Sequence, residues 1–197
     1  AAQTSSSIGA TTLQTALGTG NVTIQTQASG TEAGNININA PVSWSANKLT
    51  LEAHADINVN AIISATGTST LDLKTGYNFN QGSPTFTKAN HVLVGIQNEN
   101  SFKGRIDFDR AGSGILSINN INFTLINTLG SPGSTTKSDL QGINGNSNGK
   151  YALASNIDAS STSGWNSGLG WSAITFGLGA IFDGLGHTVT GLTINQP

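Results

Sequence analysis

Short apolar triplets recur through the first half of this chain at a fixed distance, and that spacing constrains its fold more than any other feature. Val22-Thr23-Ile24, Ile36-Asn37-Ile38, Leu49-Thr50-Leu51, Ile57-Asn58-Val59 and Leu71-Asp72-Leu73 each carry apolar residues at i and i+2 with a small polar residue between them. A period of two puts both apolar side chains on one face of an extended strand. Ile57 follows Ile36, and Leu71 follows Leu49, at an interval of roughly 21–22 residues, so two interleaved strand series share one period. Gly34-Asn35, Ser45-Ala46-Asn47 and Gly67-Thr68 break the runs, and no window reads as a helical stripe, so the expectation is a nearly all-β chain. A repeat of about 20 residues holding short strands predicts a β-helix, with neighbouring coils paired through parallel strands and like residues stacked in ladders. A sandwich would instead call for turns spaced by about 8–12 residues and leaves the register unexplained. Asn35, Asn47, Asn58, Asn60 and Asn78 fit the strand ends of such a coil, where left-handed backbone or side-chain capping is wanted.

Composition narrows the function classes. Only 9% of the 197 residues are charged and the net charge is -2, which leaves no basic field for nucleic acid or for an anionic membrane surface. With no Cys, disulfides, thiolate metal sites and cysteine nucleophiles are excluded. No apolar stretch approaches the length of a membrane span, and Ala1-Ala2-Gln3-Thr4 does not read as an export signal. The chain is therefore expected to be a piece of a longer protein whose export signals lie elsewhere.

Four segments are expected: regular coils over residues 1–76; irregular coils over 77–129, around Tyr77, Phe79, Pro84, Phe86, His91 and Phe102; a turn-rich segment over 130–149; and further coils over 150–197. Residues 130–149, with Ser131-Pro132-Gly133 and Gly142-Ile143-Asn144-Gly145-Asn146, read either as a protruding loop or as a connector.

Two word series carry a resemblance. The first is Gly34-Asn35-Ile36-Asn37-Ile38-Asn39-Ala40-Pro41-Val42-Ser43-Trp44, followed by Leu49-Thr50-Leu51 and Ala55-Asp56-Ile57-Asn58-Val59-Asn60. The second is Gly149-Lys150-Tyr151-Ala152-Leu153-Ala154-Ser155-Asn156-Ile157-Asp158-Ala159, then Gly164-Trp165-Asn166, then Phe182-Asp183-Gly184-Leu185-Gly186-His187-Thr188-Val189 with Leu192-Thr193-Ile194. Together they resemble the filamentous-haemagglutinin-like exoproteins of two-partner secretion. The resemblance implies an all-β, right-handed parallel β-helix (β-solenoid) with coils of about 21–22 residues. It also implies Gram-negative export through an outer-membrane secretion partner, and a surface role in adhesion, haem-carrier capture or contact-dependent inhibition, with an unspecified protein or glycan receptor on a host or bacterial surface. The chain lacks the Asn-Pro-Asn-Gly motif of that family's secretion domain, and Phe176-Gly177-Leu178-Gly179-Ala180 replaces the Phe-Thr-Gly-Thr-like lead-in before Phe182.

Candidate chemistry is sparse, and no catalytic, cofactor-binding or metal-binding residue is assigned. Arg105, Asp107 and Asp109 alternate onto one strand face, a pattern that a polysaccharide-active β-helix enzyme could use if neighbouring coils added carboxylates; a solvated outer face is the plainer reading. An Asp pair for Ca²⁺ lacks the glycine-rich nonapeptide and the six or more oxygens that such an ion takes. His54, His91 and His187 are isolated and read as turn or surface residues. Trp44 reads as core or cap, whereas Trp165 and Trp171, set among Gly and Ser, read equally as core or as exposed sugar-stacking rings. The expectation is a non-enzymatic adhesin segment without cofactor.

Overall fold

The computed structural model describes residues 6–27, 33–76, 91–98 and 101–195, with only the backbone of 96–98 and 101–102. Tyr77, Asn78, Phe79, Pro84 and Phe86 lie outside the described residues, as does the Phe102 side chain. The chain divides into two compact units, residues 1–107 with 116–121, and residues 108–115 with 122–197.

The first unit opens with a helix, α1 (Ala10–Thr19). Strands follow: β1 (Val22–Gln25), β2 (Ile36–Ile38), β3 (Val42–Trp44), β4 (Lys48–Glu52), β5 (Ile57–Val59), β6 (Ile62–Ala65), β7 (Thr70–Lys74), β8 (Val92–Val94), β9 (Ile96–Asn98), β10 (Ser101–Phe102) and β11 (Arg105–Phe108). Parallel pairs put Ile36 beside Ile57 and Ile57 beside Val92, Val42 beside Ile63, and Val22 beside Leu49 and Leu49 beside Leu71. The apolar member of each alternating pair points inward, so Leu49, Leu51, Ile57, Val59, Ile63, Leu71 and Leu73 are all buried. Between β12 (Gly112–Ile118) and β13 (Ile121–Ile126) the chain turns through Asn119 and Asn120, both left-handed at φ 50 and 62, the two-residue geometry of a tight hairpin turn. Asn119 also accepts the Thr75 N–H at 2.8 Å through its side chain.

The second unit contains β14 (Lys150–Leu153), β15 (Ile157–Asp158), β16 (Ile181–Asp183) and β17 (Val189–Thr190). Tyr151 pairs in parallel with Thr124 on one side and Phe182 on the other, and Ile157 pairs with Val189. Long irregular stretches and 3-10 turns at Gln141–Gly145 and Ser160–Gly168 join the strands, the latter broken at Trp165, Asn166 and Ser167. Its core gathers Ile126, Leu140, Ile143, Tyr151, Leu153, Ile157 and Trp171.

These elements correct the expected fold. The chain is not an all-β, right-handed parallel β-helix built throughout from coils of about 21–22 residues. It is mixed α and β, with a seven-stranded, mostly parallel sheet of order β1-β4-β7-β12-β13-β14-β16, four smaller sheets, and helical segments. The physical reason is that the constant register belongs to one stretch only. It holds from Ile36 to Lys74, but β7 finds its next partner at Leu116, β9 and β10 pair antiparallel, and paired residues of the second unit's strands lie 27, 31 and 32 positions apart. The helix was hidden because its inward face is Ala10, Leu13, Gln14 and Leu17, of which only Leu17 is fully buried, so one of four stripe positions is polar.

Candidate binding surface

Outward positions of the first unit are filled by amides and hydroxyls held in register. The Asn58 amide donates to the Asn37 side-chain oxygen at 2.8 Å, and Asn60 donates to Asn39 at 3.0 Å. Parallel in-register pairing forces these contacts, because residues 21 apart then sit one strand spacing of about 4.8 Å from each other. Above them the Asn35 side chain accepts the Asp56 N–H and the Asp56 carboxylate accepts the His91 N–H, at 3.0 and 2.7 Å. Ser43 and Ser64 form a similar outward row. Asn47, at φ 69, turns the chain and donates to the Leu17 carbonyl at 2.7 Å. The result is a lattice of donors and acceptors, uncharged except at Asp56, fixed by the backbone beneath.

Among the described residues, charge on this unit is mostly self-paired. Lys74 reaches Glu52 at 2.9 Å and Asp72 at 3.6 Å, and Gln25 also donates to Glu52. Burial acts to raise the Glu52 carboxyl, but hydrogen bonds from Lys74 and Gln25, with the Lys74 charge, outweigh it and hold the group below its ordinary value. Lys74 is raised, first by its bond to Glu52, against burial. Arg105 and Asp107 do share one strand face, yet they form a two-point pair with each other at 2.5 and 3.0 Å. That bond raises the already high Arg105 value further. Asp109 lies in the bend beyond β11 and pairs with Arg110 at 3.3 Å. The strand beside β11 is β6, whose outward residues are Ile62 and Ser64, so that neighbour adds no carboxylate to the face.

The histidines are also dispersed. His54 bonds through its backbone to Thr26, and His91 through its backbone to Asp56. His187 differs from the surface expectation: it is buried after a turn, with Nδ1 3.3 Å from the Asn156 side-chain oxygen. Among the described residues no three His, Cys, Asp or Glu side chains are grouped to hold a metal ion.

In the second unit the open question about Trp165 and Trp171 resolves unevenly. Trp171 is buried, and half-buried Trp165 stacks on it with centroids 5.8 Å apart and planes 16° from parallel. Trp44 is core, its indole N–H donating to the Asn47 carbonyl at 3.2 Å. Exposed rings occur further along the chain, at residues 176 and 182. Phe176 and Phe182 lie 6.1 Å apart and, with Ile174, Val189, Leu192 and the deeper Trp171, line an open apolar groove of about 200 Å³. The available signal was the Gly-apolar alternation of residues 176–186, which leaves bulky side chains among residues too small to cover them.

Residues 130–149 are part outside, part inside. Residues 131–133 and 135–138 are exposed, while Leu140, Gln141 and Ile143 are buried. Asp139 organises the bend: its buried carboxylate accepts the Gly142 N–H and the Ser134 hydroxyl, each at 2.7 Å, and the Thr136 hydroxyl. Comparison with protein-family models, curated proteins and solved structures finds no match to this chain.

Proposed function

We propose that the chain is a non-enzymatic segment of a large secreted bacterial surface adhesin, exported through an outer-membrane secretion partner, and that it presents a binding surface to a receptor on a host or bacterial cell. The observation that carries the reading is the in-register ladder of outward amides, Asn37 with Asn58 and Asn39 with Asn60. An uncharged lattice of fixed donors and acceptors suits neutral partners, such as glycan hydroxyls or a protein backbone, whose recognition is by hydrogen bonds more than by steering charge. Two further features support it: the ordered words from Gly149 to Ile194 resemble adhesin exoproteins, and Arg105 and Asp107 neutralise each other.

The test is to measure binding of the labelled chain to epithelial and bacterial cells, with a parallel assay for cleavage of a polysaccharide panel. Saturable binding that weakens when Asn58→Ala and Asn60→Ala are combined, without release of sugar ends, is the expected result. Sugar release abolished by Asp107→Asn would replace this reading with an enzyme.

A further inference from the structure

We propose that the apolar face around Phe176, Phe182 and Leu192 is a self-association surface, and that a second copy of this chain occupies it about a two-fold axis. Among the described residues, β16 and β17 are each the last strand of their sheet, so both offer an open backbone edge. Beside them Phe176, Phe182 and Leu192 are 45%, 40% and 42% exposed, Ile194 is 64% exposed and Leu178 fully so. Such a combination of open edge and apolar side chains is what natural sheets usually guard with charge. Here the guard is thin. β16 is Ile181-Phe182-Asp183, with a single carboxylate, and the chain as a whole is only 9% charged.

Antiparallel pairing of two β16 edges centred on Phe182 would set each Asp183 opposite the Ile181 of the other copy, so like charges do not meet. Taking 150–250 Å² for a large side chain, the five residues expose roughly 500 Å² per copy, and pairing would bury on the order of 1,000 Å² in total, the lower limit for a specific interface. One edge strand of the first unit is dressed differently: the Gln14 side chain on α1 accepts the Ser43 N–H of β3 at 3.1 Å. That edge already has a partner, which disfavours head-to-tail stacking of β16 on β3 and leaves the isologous pairing of two β16 edges.

Sedimentation velocity over a micromolar-to-millimolar series tests this. The expected result is a reversible monomer–dimer equilibrium whose dissociation constant rises at least about tenfold in Leu178→Asp and in Phe182→Asp, and is unchanged in Ile8→Asp, an exposed apolar control on the first unit. Leu178 is wholly exposed, so its variant keeps the test valid should Phe182→Asp fold poorly. A monomer throughout the series would overturn the proposal, as would open-ended oligomers or a dimer indifferent to both substitutions.

Discussion

Residues 36–74 and residues 122–195 both build parallel strands, but they fill their interiors in opposite ways. In the first stretch like residues stack on like: Ile36 on Ile57, Leu49 on Leu71, Leu51 on Leu73, and outside them Asn37 on Asn58. In the second, β15 and β17 are only two residues long, and the core around Tyr151 of β14 depends on large side chains delivered by irregular segments, above all Ile143 and Trp171. Buried polar groups do the stitching there: Gln141 donates to the Ser172 carbonyl, Thr162 to the Ala159 carbonyl, and Tyr151 through its hydroxyl to the Asn146 carbonyl at 3.1 Å. A ladder distributes stability over many equivalent contacts, whereas an irregular core concentrates it in a few residues.

Substitutions can break that contrast. Tyr151→Ala removes the largest fully buried side chain and its hydrogen bond, and should cost about 4 kcal/mol by analogy with other aromatic truncations. The expected sign in near-UV circular dichroism is loss of the signal from the Trp165–Trp171 stack while the Trp44 environment persists, since Trp44 lies in the other unit. Leu71→Ala deletes one rung between Leu49 and Leu116 and should cost about 3 kcal/mol in urea unfolding, with the opposite spectroscopic pattern. Equal loss of both tryptophan signals in either variant would show that the contrast between the two stretches has no energetic meaning.

Glu52→Gln sharpens the comparison more gently, by about 1 kcal/mol, because it weakens a half-buried cross-strand pair that the second unit has no counterpart for among its described residues. Its pH dependence has a definite sign. The folded Glu52 value is depressed, so its contribution is complete above the ordinary 4.5 and is lost as pH falls through the lower folded value. The folded Lys74 value is raised, so its contribution is complete below 10.5 and is lost as pH rises through the higher folded value. Thermal melts across pH should therefore show an acid limb in the parent that flattens in Glu52→Gln. The smallest effect is expected from Asn58→Ala, about 0.5 kcal/mol, since the Asn37–Asn58 bond is exposed to competing water.

The ladder was legible in the sequence because identical residue types recur at the spacing of the strands, which is how Ile36 was matched to Ile57 and Leu49 to Leu71. That spacing does not extend over the whole chain. Nothing in the sequence marks that Leu71 of β7 pairs next with Leu116, well beyond one repeat, since the period carries no information about an excursion. α1 stayed hidden behind Gln14, a polar residue on its inward face whose side chain serves the Ser43 N–H. The catalytic candidates were correctly placed on one face for Arg105 and Asp107, but alternation alone could not reveal that the two pair with each other. The groove at Phe176 and Phe182 has no such signature, because Trp171, Val189 and Leu192 complete its lining from distant parts of the sequence and such contacts leave no periodic trace.

The most direct test of the ladder is disulfide cross-linking in Asn37→Cys/Asn58→Cys, against Asn37→Cys/Asn60→Cys. The chain has no cysteine of its own, so any disulfide formed is the introduced one. Paired residues on neighbouring strands lie about 4.8 Å apart, within disulfide reach, and a two-residue slip takes the sulfurs beyond it. The account predicts rapid oxidation of the first pair and a persistently reduced second pair. Equal oxidation of both, or preference for the second, would contradict the register on which the binding surface rests.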